Sequence, residues 1–186
     1  MILPIVAFGS PILRKKCSDI SSDYPEFETF LTNMWETMYE AKGVGLAAPQ
    51  VNKGIRLFLI DTTPFFDDED EINEVIVKKV FINARILEES GEEWAFNEGC
   101  LSIPDLREDV NRKSIIKIEY MDEYFKTHTE TYDGLTARVI QHEYDHIDGI
   151  LFTDKLTALR KRMIKGRLID ISKGKVNATY KMRFAR

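Results

Sequence analysis

A chain of 186 residues is long enough for one well-buried core and too short for two independent domains, so residues 1–186 are read as a single domain. With 44% hydrophobic and 31% charged residues and a net charge of -5, the composition is that of a soluble globular protein, and specific DNA is an unsuited main partner. No window reaches the length of a membrane span, and Met1-Ile2-Leu3-Pro4-Ile5-Val6 lacks the basic and apolar regions of a secretory leader. A cytoplasmic location is expected, with Cys17 and Cys100 reduced.

In chain order, Ile5 to Phe8 reads as a short extended piece ending in the turn Gly9-Ser10-Pro11. From Asp23 to Lys42 the apolar residues Phe27, Phe30, Leu31, Met34, Trp35 and Met38 recur at helical spacing and predict a helix with a core-facing stripe. Gly43 stops it. Gly43-Val44-Gly45-Leu46-Ala47-Ala48-Pro49-Gln50 is expected to be a loop, its glycines permitting close approach to a strand or a ligand. It lacks the Lys and Ser/Thr of a phosphate-binding loop. Ile55 to Asp61 predicts a buried strand. Asp67 to Glu74, with six acids in eight residues, reads as a solvated loop.

Strands are expected over Lys78 to Ala84 and Glu92 to Asn97, leading into a turn at Glu98-Gly99-Cys100-Leu101-Ser102. Ser114 to Tyr120 alternates apolar and polar residues, with Lys126 to Tyr132 as its hairpin partner. Helices are predicted over Gly134 to His146 and Asp154 to Leu168, the second capped by Thr153 or Asp154. From Lys155 to Lys175 there are eight Lys/Arg against one Asp, either a solvated basic face or a docking surface for an acidic partner such as ribosomal RNA. Val176, Ala178, Tyr180, Met182 and Phe184 alternate with polar residues and predict a half-buried strand. The fold class is α+β: antiparallel strands packed around a central helix that carries His-Glu-x-x-His.

That helix carries the chemistry. Residues four apart share a helix face, so His142 and His146 can present two imidazoles to one metal ion. Glu143 can stand beside the metal and take a proton from water. The third ligand is less direct. Phe152 stands where a third His of an extended protease motif would fall, and no Glu follows Glu143. Asp148, Asp154 and Asp170 read as surface or capping residues, His128 as exposed, and Cys100 is the better candidate.

Together, Gly43 to Gln50, Glu98 to Ser102 and Gln141 to His146 resemble the three signature motifs of peptide deformylase, in that family's order. Gly9-Ser10-Pro11-Ile12-Leu13-Arg14 resembles its N-terminal segment. The resemblance implies a hydrolase that removes the N-formyl group from the initiator methionine of nascent polypeptides and releases formate. It implies one divalent metal ion on Cys100, His142 and His146. Fe(II) is the family's common metal, and Zn, Ni or Co suit the same ligands. It implies Glu143 as the proton carrier, and Gln50 with the Leu101 N–H as oxyanion donors. Val44, Gly45 and Gly99 would line the substrate cleft, Arg107 its rim, and Val44, Leu135 and Val139 a methionine pocket. Arg138 falls where an apolar pocket residue is expected. Glu98 and Asp145 would hold ligands in place. The partners implied are N-formylmethionyl peptides and the ribosome. The competing reading is a zinc endopeptidase; a metal-stabilised binding module would need a fourth protein ligand.

Overall fold

The computed structural model describes residues 1–65 and 75–185; the acidic segment Asp67 to Glu74 lies outside them. Strand β1 (Ile5–Val6) opens the chain and is followed by helix α1 (Phe27–Glu40). The helix starts at the first residue of its apolar stripe, four residues after the expected Asp23, because Pro25 and Glu26 precede it and Glu26 is left-handed at φ 53. Lys42, also left-handed at φ 54, lies beyond its end. The small-residue segment is not a plain loop. Gly45–Ala47 form β2, and Ala48–Val51 make a 3-10 turn. The buried strand β3 (Leu57–Asp61) follows.

Two expected strands merge into β4 (Lys78–Cys100), and its partner β5 (Ile103–Met121) begins eleven residues before the predicted start. The period of two runs through β5, but Glu108 and Arg112 occupy inward positions alongside Leu106 and Val110. Charges at core positions hide the alternation from a hydropathy reading. Bulges between Ile82 and Arg85 and between Ser90 and Glu93 bend the pair. With β6 (Thr127–Asp133) these strands make one antiparallel sheet in the order β2-β3-β4-β5-β6.

Helix α2 (Gly134–Ile147) packs against β2, β3, β5 and β6. Ala137, Ile140 and Ile147 bury into a core with Phe58, Phe81, Ile116 and Ile118. Unlike an ordinary amphipathic helix, α2 also buries Arg138, Gln141, Glu143, Asp145 and His146. Charged groups are buried this fully only when paired or put to use. A second core lies under α1, and a third joins β5 to α3 (Ala158–Ser172). The cap of α3 is Thr157, whose hydroxyl accepts the Arg160 N–H, so the helix begins four residues beyond the expected Asp154. Asp154 instead accepts the Leu151 N–H at 2.8 Å in a preceding 3-10 turn. In the tail only β7 (Met182–Arg183) is a strand, parallel to β1. Burial still alternates from Val176 to Phe184, as the sequence pattern requires. Antiparallel strands around the His-Glu-x-x-His helix are therefore the observed architecture.

Candidate active site

The end of β4 and one face of α2 bring three donors together. Cys100 is the last residue of β4; His142 and His146 are one turn apart on α2. One donor atom from each lies within 4.8 Å of the others, with Cys100 Sγ 3.3 Å from His146 Nε2. No other such group of three occurs among the described residues. A thiolate and two imidazoles fit a divalent cation that accepts sulfur and nitrogen, and three protein ligands leave it an open position. His128 stands apart, bonded through Nε2 to Asp122 at 2.6 Å.

Behind the donors is a buried network. Glu98 Oε2 accepts from His142 Nδ1 at 2.9 Å, which leaves Nε2 of that ring facing the other donors. Arg112 grips Glu98 with two bonds of 2.7 and 2.9 Å and Asp145 with a third of 2.7 Å. Arg138 adds a 3.0 Å bond to Glu98 and donates to the backbone oxygens of Val110 and Trp94. Two carboxylates thus meet two guanidinium groups, so the buried charge is balanced. Burial alone would raise the Glu98 carboxyl, but the bonds from Arg112 and His142 hold it well below the usual carboxylate range. The imidazoles diverge. Burial opposes a charge on both, yet the contacts of His142 with Cys100 and Glu98 raise it, while burial and the neighbouring His142 charge hold His146 low. His146 Nδ1 has no hydrogen-bond partner among the described residues.

Glu143 faces a cleft of about 500 Å³ beside these donors. Its Oε2 is buried with no protein partner among the described residues, and burial pushes its carboxyl up to about 7. Gly45 of β2 faces it so closely that a Cβ there would lie 2.5 Å from Glu143 Oε1. The same cleft is lined by Val44, Gly45, Gln50, Gly99, Leu101, Arg107 and Val139. A Cβ on Gly99 would meet Arg107 Nη1 at 2.8 Å, so glycine there makes room for the arginine. Gln50 Oε1 is fixed by the Ala47 N–H at 2.8 Å, which directs Nε2 toward Cys100 Sγ at 3.5 Å and Ser102 Oγ at 3.4 Å.

One expectation for the pocket needs correction. Leu135 is absent from the cleft lining; Arg138, Phe96 and Phe65 form the wall instead. Arg138 does not open a polar gap, because its guanidinium lies 4.6 Å from the Trp94 ring centroid and is consumed by the Glu98 network. Sequence reasoning gave no role to Arg112, Ser102 or the tail residues Asn177 to Tyr180 that also line the cleft. Arg112 carried one signal, its inward register in β5.

Comparisons with known proteins agree with this arrangement. Residues 2–162 match the family model described as polypeptide deformylase. The chain is 63% identical to the peptide deformylase of Christiangramia forsetii, over 99% of this chain and 96% of that protein. It is 58% identical to that of Flavobacterium johnsoniae, over 100% and 97% of the two chains. The crystal structure of a peptide deformylase from Legionella pneumophila superposes with a TM-score of 0.80 at 33% identity, covering 94% of this chain and 98% of that one. The Thermus thermophilus peptide deformylase gives a TM-score of 0.81 at 34% identity, covering 94% and 99%. A match over most of the chain, together with a fold shared over 94% of it, places this protein in the polypeptide deformylase family.

Proposed function

We propose that this cleft performs the family's reaction, removal of the formyl group from N-formylmethionyl nascent peptides, with Glu143 as its proton carrier. The observation that carries the assignment is the buried Glu143 carboxylate, facing the cleft next to the only gathered Cys/His donor set among the described residues. When bound, a divalent cation supplies Lewis acidity toward the formyl carbonyl and toward water. Glu143 accepts a proton from the water that attacks the formyl carbon. It then delivers that proton to the amine nitrogen as the C–N bond breaks, releasing formate and a free methionyl amine. The raised carboxyl, about 7, suits both halves of this exchange at neutral pH.

The developing oxyanion is met by the Leu101 N–H and by Gln50 Nε2. Gln50 is pre-aimed through Ala47, and its two present acceptors are distant enough to be exchanged for a better one. Gly45, which opens the short strand β2, and Val44 just before it are disposed to pair with an extended peptide. Val44 and Val139 offer apolar surface to the methionine side chain, and Arg107 guards the rim. The Cys100, His142 and His146 set accommodates Zn, Ni or Co; Fe(II) is the metal favoured by family resemblance. An endopeptidase is the disfavoured reading.

A substrate still on the ribosome calls for action in the cytoplasm. Lys161, Arg162 and Lys165 are exposed on α3 and offer a basic face to RNA. No helix among the described residues is long and apolar enough to cross a membrane.

Formate release from formyl-Met-Ala-Ser by protein loaded anaerobically with Fe(II) tests the assignment. Glu143→Ala is expected to lower the rate by about 10²–10⁴-fold. Wild-type activity in that variant would remove Glu143 from the reaction. Cleavage of an internal peptide bond without formate would favour the endopeptidase.

A further inference from the structure

The tail beyond α3 returns to the cleft. Gly174, at φ +76, reverses the chain, and Asn177, Ala178, Thr179 and Tyr180 then line the same cavity as Gly45, Leu101 and Glu143. The match to the family model ends at residue 162, before this strap, although the relatives align over nearly the whole chain. Two anchors hold it. Beyond the strap, Lys181 O and Arg183 O accept the Ile5 and Ala7 N–H groups of the β1 segment at 2.8 and 2.9 Å. One residue further, the Phe8 N–H donates to Ser102 O at 2.8 Å, so the same segment ties the strap to the turn after Cys100. On the other side, the Tyr180 hydroxyl donates to the Leu101 carbonyl oxygen at 2.7 Å. The Tyr180 and Leu101 side chains share the core under α1.

Leu101 follows a ligand candidate directly, and its N–H is one of two donors assigned to the oxyanion. A donor of this kind works only if its direction is fixed before the charge develops. In a short turn the direction of one peptide plane depends on its neighbours, because each residue has two soft dihedral angles. Holding the Leu101 carbonyl from the strap side, and the Ser102 carbonyl from the β1 side, fixes both planes that follow the donor.

We infer that Tyr180 is a positioning residue for the oxyanion donor at Leu101, and that residues 177–180 are a wall of the cleft that meets the substrate peptide. The inference rests on the reaction assigned above. Tyr180→Phe keeps the ring and deletes only the hydroxyl. Its kcat for formyl-Met-Ala-Ser should fall roughly five- to tenfold, with KM within about twofold and the melting temperature within about 2 °C of wild type. Tyr180→Ala removes the packing as well and should melt lower; the Phe variant should recover that loss of melting temperature without recovering kcat. A Phe variant with wild-type kcat, or one whose kcat falls only together with its melting temperature, overturns the positioning role. Ala178→Trp should raise KM for the tripeptide at least about fivefold, and an unchanged KM would remove the strap from the peptide's path. Wild-type protein that releases no formate fails the assigned reaction itself. Active wild type beside a Phe variant of unchanged kcat fails this inference alone.

Discussion

Two glutamates on the main sheet each gather a cluster of partners, at different depths. Glu98, 3% exposed in its side chain, sits among Arg112, Arg138 and His142. Glu130, 35% exposed, accepts from Lys79 at 2.7 Å, from the Tyr120 hydroxyl at 2.8 Å and from the Tyr132 hydroxyl. Both carboxyls are held below their ordinary range: burial opposes the charge in each, and the bonds from Arg112 and His142, or from Lys79 and Tyr132, outweigh it. The difference is water. Around Glu130 solvent can replace any partner that leaves, whereas around Glu98 every lost partner strands a charge in the interior. The same chemistry is decorative at one depth and obligatory at the other.

The sharpest way to break this contrast is Arg112→Met, which strips Glu98 and Asp145 of their shared cation. Unfolding by denaturant should show a loss of about 3–5 kcal/mol; a loss under about 1 kcal/mol would mean that the inner cluster tolerates vacancies as the outer one does. Next comes Glu98→Gln, which weakens the acceptor at His142 Nδ1. Competition with a chelator should report metal affinity lower by about 10–100-fold, and equal affinity would detach the network from the donors. Glu130→Gln should cost no more than about 1 kcal/mol, read from the same denaturation curves, because its surroundings are hydrated.

Acid titration gives the smallest effect. The folded Glu130 carboxyl is held at about 2 against an ordinary 4.5. A depressed carboxyl stabilises the fold above its ordinary value and loses that contribution as pH falls toward the folded one. The stability gap between wild type and Glu130→Gln, a few tenths of a kcal/mol after screening, should therefore be present at pH 7 and close as pH approaches 2. A gap that widens in acid would reverse the sign assigned to this cluster.

Much of the site was legible because its signals are local. His142, Glu143 and His146 declare themselves by helical spacing, and the glycines at 43 and 45 mark a place where the backbone can be approached, while the cleft position of Gly99 follows only from the family resemblance. Gly45 meets Glu143 and Gly99 meets Arg107, as close approach requires. What escaped was non-local. Glu108 and Arg112 look like surface charges until β4 and β5 pair and turn them inward. Arg138 looks misplaced in an apolar wall until Glu98, forty residues earlier, is seen to hold it. The early half of β5 and the start of α3 were misread for related reasons: charges masked a strand period, and Asp154 caps a turn ahead of the helix rather than the helix itself. The tail's alternation was visible, but no periodicity could say that its inward face borders the cleft.

Gly45 carries a consequence for making inert forms of the enzyme. A single methyl there would press on Glu143 Oε1 from 2.5 Å, forcing the side chain aside while leaving the three donors, the oxyanion groups and the arginine network chemically unchanged. Gly45→Ala is thus a way to silence turnover by displacement alone.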